Sequence, residues 1–196
     1  MELSLDLNRQ YTYADYLTWA DEKMRELLNG FIRLMSPAPK LKHAVVSSRL
    51  GNYFFNFIDR YNGNCQVFYA PFDVRLPRNP DKTADDQIYT VVQPDICVVC
   101  DSSKLDERGC LGAPDMVVEI LSLSSLTYDL NKKFSIYEAA GVKEYWVVSP
   151  KEKGINVFIL QDDGKYDEGT VYEGNVQVPV QTLKGLVINT EALFRD

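Results

Sequence analysis

The chain has 196 residues, with 21 lysines and arginines against 28 aspartates and glutamates, so its formal net charge is -7. Its 45% hydrophobic content is ordinary for a soluble globular protein, and its pI of about 4.8 shows no general basic character. The acidic balance counts weakly against a nucleic-acid partner, because a local basic face and a metal ion can offset it. From this length we expect one domain over 1–196.

Signals for export or membrane insertion are not evident in the sequence. The first seven residues lack a basic stretch followed by an apolar one, and no apolar run approaches the ~20 residues that a membrane span needs. We therefore expect a cytoplasmic protein with no membrane partner. The four cysteines are expected to be small buried side chains. Cys97 and Cys100 would point to opposite faces of a strand, and no second Cys-x-x-Cys pair completes a zinc site.

The predicted elements, taken in chain order, indicate a mixed α/β sheet. A short helical region is predicted over 11–28, and Asn29-Gly30 is a turn signal before a hairpin strand over 31–35. Apolar residues recur at helical spacing over 41–58, which predicts the first long helix. Further strands are predicted over 66–70, 72–76, 95–100 and 115–121, then a helix over 129–140, a strand over 144–149 and a C-terminal meander over 155–160, 165–172 and 176–180.

Two of the predicted strands carry a carboxylate within apolar sequence. Asp95 follows Pro94 at the start of one strand, and Glu119 lies between Val118 and Ile120 in another. Burying an ionised carboxylate is costly unless a cation or hydrogen-bond donors compensate. Two strand carboxylates are the minimal protein contribution to a magnesium site, which otherwise keeps water and substrate oxygens as ligands. We therefore predict that Asp95 and Glu119 bind a divalent metal ion.

A purely structural role is the competing interpretation for the acidic residues. Asp95 and Asp115 both follow a proline at the entry to a strand, where a polar residue needs no further explanation. For Asp95 the two interpretations are balanced, whereas for Asp115 the structural one is preferred. Glu119 is different, because aliphatic residues flank it on both sides and packing gives no reason for a carboxylate there.

The helix predicted after these strands supplies a cation. Asp129, Lys133 and Tyr137 are spaced four residues apart and therefore share one helical face. Lys133 could reach the end of the preceding strand, where it would orient a nucleophilic water or neutralise phosphate charge. The alternative is a surface ion pair between Lys133 and Asp129, worth only a few tenths of a kcal/mol. The sequence leaves both roles of the lysine open.

The chain resembles the Uma family of restriction-endonuclease-like proteins, which belongs to the PD-(D/E)XK nuclease superfamily. The resemblance rests on the segments PDICVV, GAPDMVVEILS and DLNKKFSIYEAAGVKEYWVVSP, and it extends from YADYL near the N-terminus to the C-terminal meander. It implies an α/β fold (α+β mixed sheet) with a restriction-endonuclease-like PD-(D/E)XK core and an added C-terminal β-meander.

The resemblance also implies roles for individual residues. Asp95 would be the aspartate of the superfamily motif, Glu119 its second acidic residue, and the main-chain carbonyl of Ile120 a further metal ligand. The superfamily pattern has a lysine two residues after the glutamate, where this chain has Leu121. Lys133 would be that lysine, displaced to the helix. The alternative is that the lysine is lost and the site is degraded.

Three further residues are candidates for accessory roles. His43, the only histidine, stands near a helix position that carries accessory residues in the family. Glu26 and Asp73 are carboxylates that would complete the cluster. All three carry less weight than the strand carboxylates, since a lone histidine near a helix start is more often structural.

The leading hypothesis is a Mg²⁺-dependent endonuclease, with Mn²⁺ as the alternative ion, that hydrolyses DNA phosphodiester bonds with Asp95, Glu119 and Lys133. The second is a catalytically inactive nuclease-fold module that binds DNA or protein, which the acidic pI favours. The third is a homodimeric structural protein with an interface formed by exposed Tyr145 and Trp146, although a core strand explains these aromatic residues equally well. DNA is thus the expected partner, and a homodimer is possible.

Overall fold

The computed structural model describes residues 5–21, 23–35, 40–61, 63–121 and 127–195, with only the backbone of 127–129. The helices are α1 (Tyr13–Tyr16), α2 (Leu41–Arg60), α3 (Thr127–Ala140) and α4 (Thr190–Phe194). The strands are β1 (Arg25–Leu28), β2 (Phe31–Leu34), β3 (Gln66–Tyr69), β4 (Val74–Arg75), β5 (Val91–Val92), β6 (Ile96–Val99), β7 (Leu105–Asp106), β8 (Gly109–Leu111), β9 (Met116–Ile120), β10 (Glu144–Ser149), β11 (Gly154–Ile159), β12 (Thr170–Glu173), β13 (Gln177–Pro179) and β14 (Val187–Asn189). Within these ranges no helix has the length and apolar character needed to cross a membrane.

The main sheet has the strand order β12-β11-β10-β9-β6-β3. Strands β9 and β10 are parallel neighbours, with Met116 opposite Glu144 and Ile120 opposite Val148. Parallel neighbours need a crossover connection, and α3 lies in the chain segment between them. The other strand pairs of this sheet are antiparallel. The predicted strands over 95–100, 115–121 and 144–149 correspond to β6, β9 and β10.

The second six-stranded sheet has the order β2-β1-β5-β4-β8-β7. Its β1–β2 hairpin turns at Asn29 and Gly30, which both have positive φ angles, 55° and 89°. The turn prediction is therefore confirmed, but the helix predicted through Leu28 is wrong. Strand β1 is buried and pairs with β2 on one side and β5 on the other, so sheet pairing overrides the helix propensity of this segment. Glu22, within the predicted helix, lies outside the described residues.

The two faces of the main sheet bury different elements. Met116, Val118 and Ile120 point to the face that packs against α2 and the C-terminal elements, whereas Val117 points to the face that packs against α3 and the second sheet. Successive strand residues alternate between faces, so Glu119 shares the face of Val117. This alternation directs the Glu119 carboxylate toward α3.

Tyr145 and Trp146 are fully buried in β10, on opposite faces of the main sheet. Trp146 packs edge-on against Phe54 of α2, with ring centroids 6.3 Å apart. The hypothesis of an interface built on exposed Tyr145 and Trp146 is therefore wrong, because both rings belong to the core.

Cys65 and Cys100 form a disulfide, which the sequence did not predict. The antiparallel register of β3 and β6 pairs Gln66 with Val99, and one residue further along it brings Cys65 opposite Cys100. The expectation of four small buried side chains is wrong for this pair. It holds for Cys97 and Cys110, which are free and buried.

We predict that Phe54→Ala lowers the free energy of unfolding by about 3–5 kcal/mol, because it empties a fully buried ring position in the core. The matched control is Phe55→Ala, one residue along α2, where the ring is 60% exposed and the loss should stay below about 1 kcal/mol. Urea denaturation followed by circular dichroism measures both values. Equal losses for the two variants would contradict the burial of Phe54.

Candidate metal centre

Asp95 and Glu119 face each other across two antiparallel strands. Asp95 immediately precedes β6, and Glu119 is the fourth residue of β9. The register pairs Ile96 with Val118, and its continuation by one residue places Asp95 opposite Glu119. Directly opposed residues point to the same face of a sheet, with Cβ atoms about 4.5–5.5 Å apart. The structure thus brings the two predicted carboxylates together at one end of the main sheet.

Each oxygen of the Asp95 carboxylate contacts a different partner. Oδ2 accepts a hydrogen bond of 2.7 Å from the main-chain N–H of Ile120. Oδ1 lies 3.1 Å from Nε2 of His43, in the first turn of α2. The hydrogen bond to Asp95 raises the pKa of His43, although the burial of the ring opposes this change. His43 therefore contacts the candidate site directly. The sequence had given this histidine less weight than the strand carboxylates.

Glu119 receives two hydrogen bonds from α3. Lys133 Nζ and Tyr137 Oη donate to the same oxygen, Oε1, over 2.9 Å and 2.7 Å. Burial raises the pKa of Glu119 to about 7. The Lys133 charge opposes this rise, while the charge of Asp95 adds to it. Both of these contacts from the described part of α3 engage the same oxygen of the Glu119 carboxylate.

Lys133 bridges the two sheets. Its Nζ lies 2.8 Å from Glu26 Oε1 of β1 and 2.9 Å from Glu119 Oε1 of β9. Burial lowers the pKa of Lys133, but the charges of the two glutamates outweigh it and raise the pKa above its usual range. The lysine is therefore held as an ammonium ion within the fold. The side chain of Asp129, its alternative partner, lies outside the described residues.

Glu26 is the second partner of Lys133, although the sequence made it only a minor candidate for the site. It is 3% exposed, and its Oε1 also accepts a hydrogen bond of 2.8 Å from the main-chain N–H of Gln93. The side chain of Gln93 donates in turn to Asp73 Oδ1 over 2.7 Å, and burial raises the pKa of Asp73. Asp73 thus joins the network through Gln93 and Glu26, which stand between it and Lys133.

Asp115 lies at the other end of β9. Its Oδ2 accepts a hydrogen bond of 2.8 Å from the main-chain N–H of Cys100, and its Oδ1 accepts one of 2.7 Å from Lys143 Nζ. Burial raises the pKa of Asp115, but these two hydrogen bonds outweigh it, so the pKa is lowered. The contacts of Asp115 with Cys100 and Lys143 are structural.

The donor set at the Asp95 end of the sheet suits a hard cation. The oxygen donors that the structure brings together there are the Asp95 and Glu119 carboxylates, which favour Mg²⁺ or Mn²⁺ over Zn²⁺, while the Ile120 carbonyl stays a predicted ligand. Within the described part of the chain, no group of three or more His, Cys, Asp or Glu side chains could hold a metal ion. A metal here would take its remaining ligands from water and substrate, as Mg²⁺ commonly does.

The chain has a restriction-endonuclease-like fold. The fold is similar to a solved structure from Anabaena variabilis ATCC 29413, described as "a putative nuclease belonging to DUF820". The TM-score is 0.74 over 94% of this chain and 97% of that chain, with 22% sequence identity. The predicted fold class is thereby confirmed.

The chain belongs to the Uma2 family, described as "Putative restriction endonuclease", whose model matches residues 13–191. It is also similar to "Uncharacterized protein slr1290" from Synechocystis sp. (strain ATCC 27184 / PCC 6803 / Kazusa). The two sequences are 30% identical over 156 residues, which cover 78% of this chain and 75% of the relative. The family that the sequence motifs indicated is thereby confirmed.

We predict that Asp115→Asn destabilises the protein by about 1–2 kcal/mol at pH 7, through loss of hydrogen bonds to a charged acceptor. Because the folded pKa of Asp115 is lowered, its contribution is present above the unfolded pKa of ~3.9 and disappears as the pH falls through the folded value. Urea denaturation at pH 7 and pH 2.5 should therefore show a larger difference at pH 7. A loss of equal size at both values would contradict this role.

Proposed function

We propose that this protein is a Mg²⁺-dependent endonuclease that hydrolyses phosphodiester bonds in DNA. The observation that carries the proposal is the convergence of Asp95, Glu119 and the Lys133 ammonium group at one end of the main sheet. Membership of a family described as "Putative restriction endonuclease" supports the reaction class. The metal dependence and the DNA substrate are the further content of the proposal.

In this mechanism Asp95, Glu119 and the carbonyl of Ile120 would hold the metal. A bound Mg²⁺ would supply charge stabilisation at the phosphate undergoing in-line displacement. The contact with His43 and the N–H of Ile120 would orient Asp95, so that its carboxylate stays at the end of the sheet.

Lys133 would act on the nucleophilic water or the scissile phosphate. An ammonium group has three N–H donors, and Glu26 and Glu119 occupy two of them. Among the described residues these two glutamates are its acceptors, which leaves the third donor for a water molecule or a phosphate oxygen. Because the two glutamates keep the ammonium charged, Lys133 would orient the water and neutralise developing negative charge, rather than accept a proton.

We predict that Asp95→Asn lowers the rate of Mg²⁺-dependent plasmid nicking by more than about 100-fold, since a lost metal ligand should cost at least as much as a lost outer-shell contact. Asp115→Asn is the matched control. This substitution replaces the other aspartate that directly follows a proline. The variant should nick plasmid at the wild-type rate at a temperature at which it is folded. EDTA should abolish nicking by both the wild type and the control. Undiminished nicking by Asp95→Asn would remove this residue from the mechanism.

The same assay tests the lysine. Lys133→Met should reduce nicking strongly, whereas Lys132→Met, at an exposed neighbouring position on α3, should have little effect. If both variants nick at the wild-type rate, Lys133 has no catalytic role.

The rival hypothesis is a nuclease-fold module without catalysis, and metal binding separates the two. We predict that titration calorimetry detects Mg²⁺ binding that strengthens from pH 6 to pH 8. The Glu119 pKa of about 7 means that protons compete with the metal at the lower pH. Asp115→Asn should bind as the wild type does, and Asp95→Asn should not. Absence of Mg²⁺ and Mn²⁺ binding at pH 8 would favour the inactive module.

A further inference from the structure

We propose that the groove between α2 and α4 binds the sugar-phosphate backbone of duplex DNA. The inference rests on the proposed function and assigns a surface to its substrate. The groove has a volume of about 440 Å³, and Arg49, Arg60, Arg195, Asn52 and Asn56 are among its lining residues. The surface thus combines three guanidinium groups with two amide side chains in a protein of net charge -7.

Two of the three arginines are available to a ligand. Arg60 and Arg195 are exposed, and the described residues show no carboxylate paired with either one. Arg49 has a structural contact as well. Its guanidinium donates to the carbonyls of Leu193, over 2.9 Å, and of Arg195, and so holds the end of α4 against α2. The groove therefore has a fixed wall and two free cations at its rim.

The basic residues of α2 form a stripe that begins next to the candidate metal centre. Lys42, Arg49 and Arg60 share one face of the helix with the neutral Asn56, because the four positions are separated by seven, seven and four residues. Lys42 is exposed and adjoins His43, whose ring contacts Asp95. α2 carries only one acidic residue, Asp59, in a chain where acidic residues outnumber basic ones.

The dimensions of the stripe suit duplex DNA. With a rise of about 1.5 Å per helical residue, Arg49 and Arg60 stand about 9 Å and 25 Å along α2 from His43. The span of about 16 Å between Arg49 and Arg60 corresponds to roughly five base pairs at about 3.4 Å per base pair. Guanidinium forks match the geometry of phosphate oxygens, and asparagine amides commonly contact the DNA backbone. Such contacts position the duplex without reading its sequence.

The experiment is DNA binding measured without cleavage. Fluorescence anisotropy of a labelled 20-base-pair duplex in EDTA should show that Arg60→Glu and Arg195→Glu each weaken binding at least fivefold. Each should also reduce the slope of log K against log salt by about one, the change expected for one lost phosphate contact. The control Lys82→Glu makes the same charge change at an exposed lysine of the β4–β5 connection, and should shift affinity less than twofold with the slope unchanged. Arg60→Lys should keep the wild-type slope.

The outcomes separate this inference from the proposed function. Circular dichroism and thermal melting establish that each variant is folded. If the arginine variants bind as Lys82→Glu does, or if the wild-type protein binds RNA or a mononucleotide but not the duplex, the groove proposal is overturned. If the arginine variants lose duplex binding while the wild type fails to nick plasmid with Mg²⁺, the groove stands and the endonuclease proposal falls.

Discussion

The buried ammonium group of Lys133 is the interaction on which the centre of this protein depends. It lies within 3 Å of Glu26 on the second sheet and Glu119 on the main sheet, so one positive charge is shared by carboxylates from both sheets. Removing one partner of a buried ion pair typically costs about 3–5 kcal/mol, because the remaining charge is left without compensation. The candidate site and the packing of the two sheets against α3 are therefore coupled. A variant at Lys133 changes both.

Strand direction explains why two identical Pro-Asp sequences have different roles. Asp95 stands at the start of β6 and Asp115 at the start of β9. Because β6 and β9 are antiparallel, the starts of these strands lie at opposite ends of the sheet. The end of β9, which carries Glu119, meets the start of β6 and completes the carboxylate pair with Asp95. Asp115 instead meets Cys100 and Lys143 at the other end.

Prediction of the fold from sequence succeeded for segments with a long periodic or apolar pattern. It failed for short segments whose secondary structure depends on pairing with neighbouring strands. The long helix over 41–58 and the strands around Asp95 and Glu119 have clear periodicity or extended apolar runs, and α2, β6 and β9 are found there. Strand β5 has two residues, too few for a periodic signal, and it exists through its pairing with β1 and β4. The segment 25–28 became a strand for the same reason.

The sequence by itself determined the residue types of the candidate site and their local elements, because a carboxylate within a β-branched run and a lysine on a helix are local patterns. Tertiary structure alone decided which residues contact these side chains. Glu26 is remote in sequence from Lys133, His43 from Asp95, and Cys65 from Cys100, and sheet register and helix packing bring each pair together. The physical reason is that charge compensation and pairing act through space, and sequence spacing carries no record of distances between separate elements.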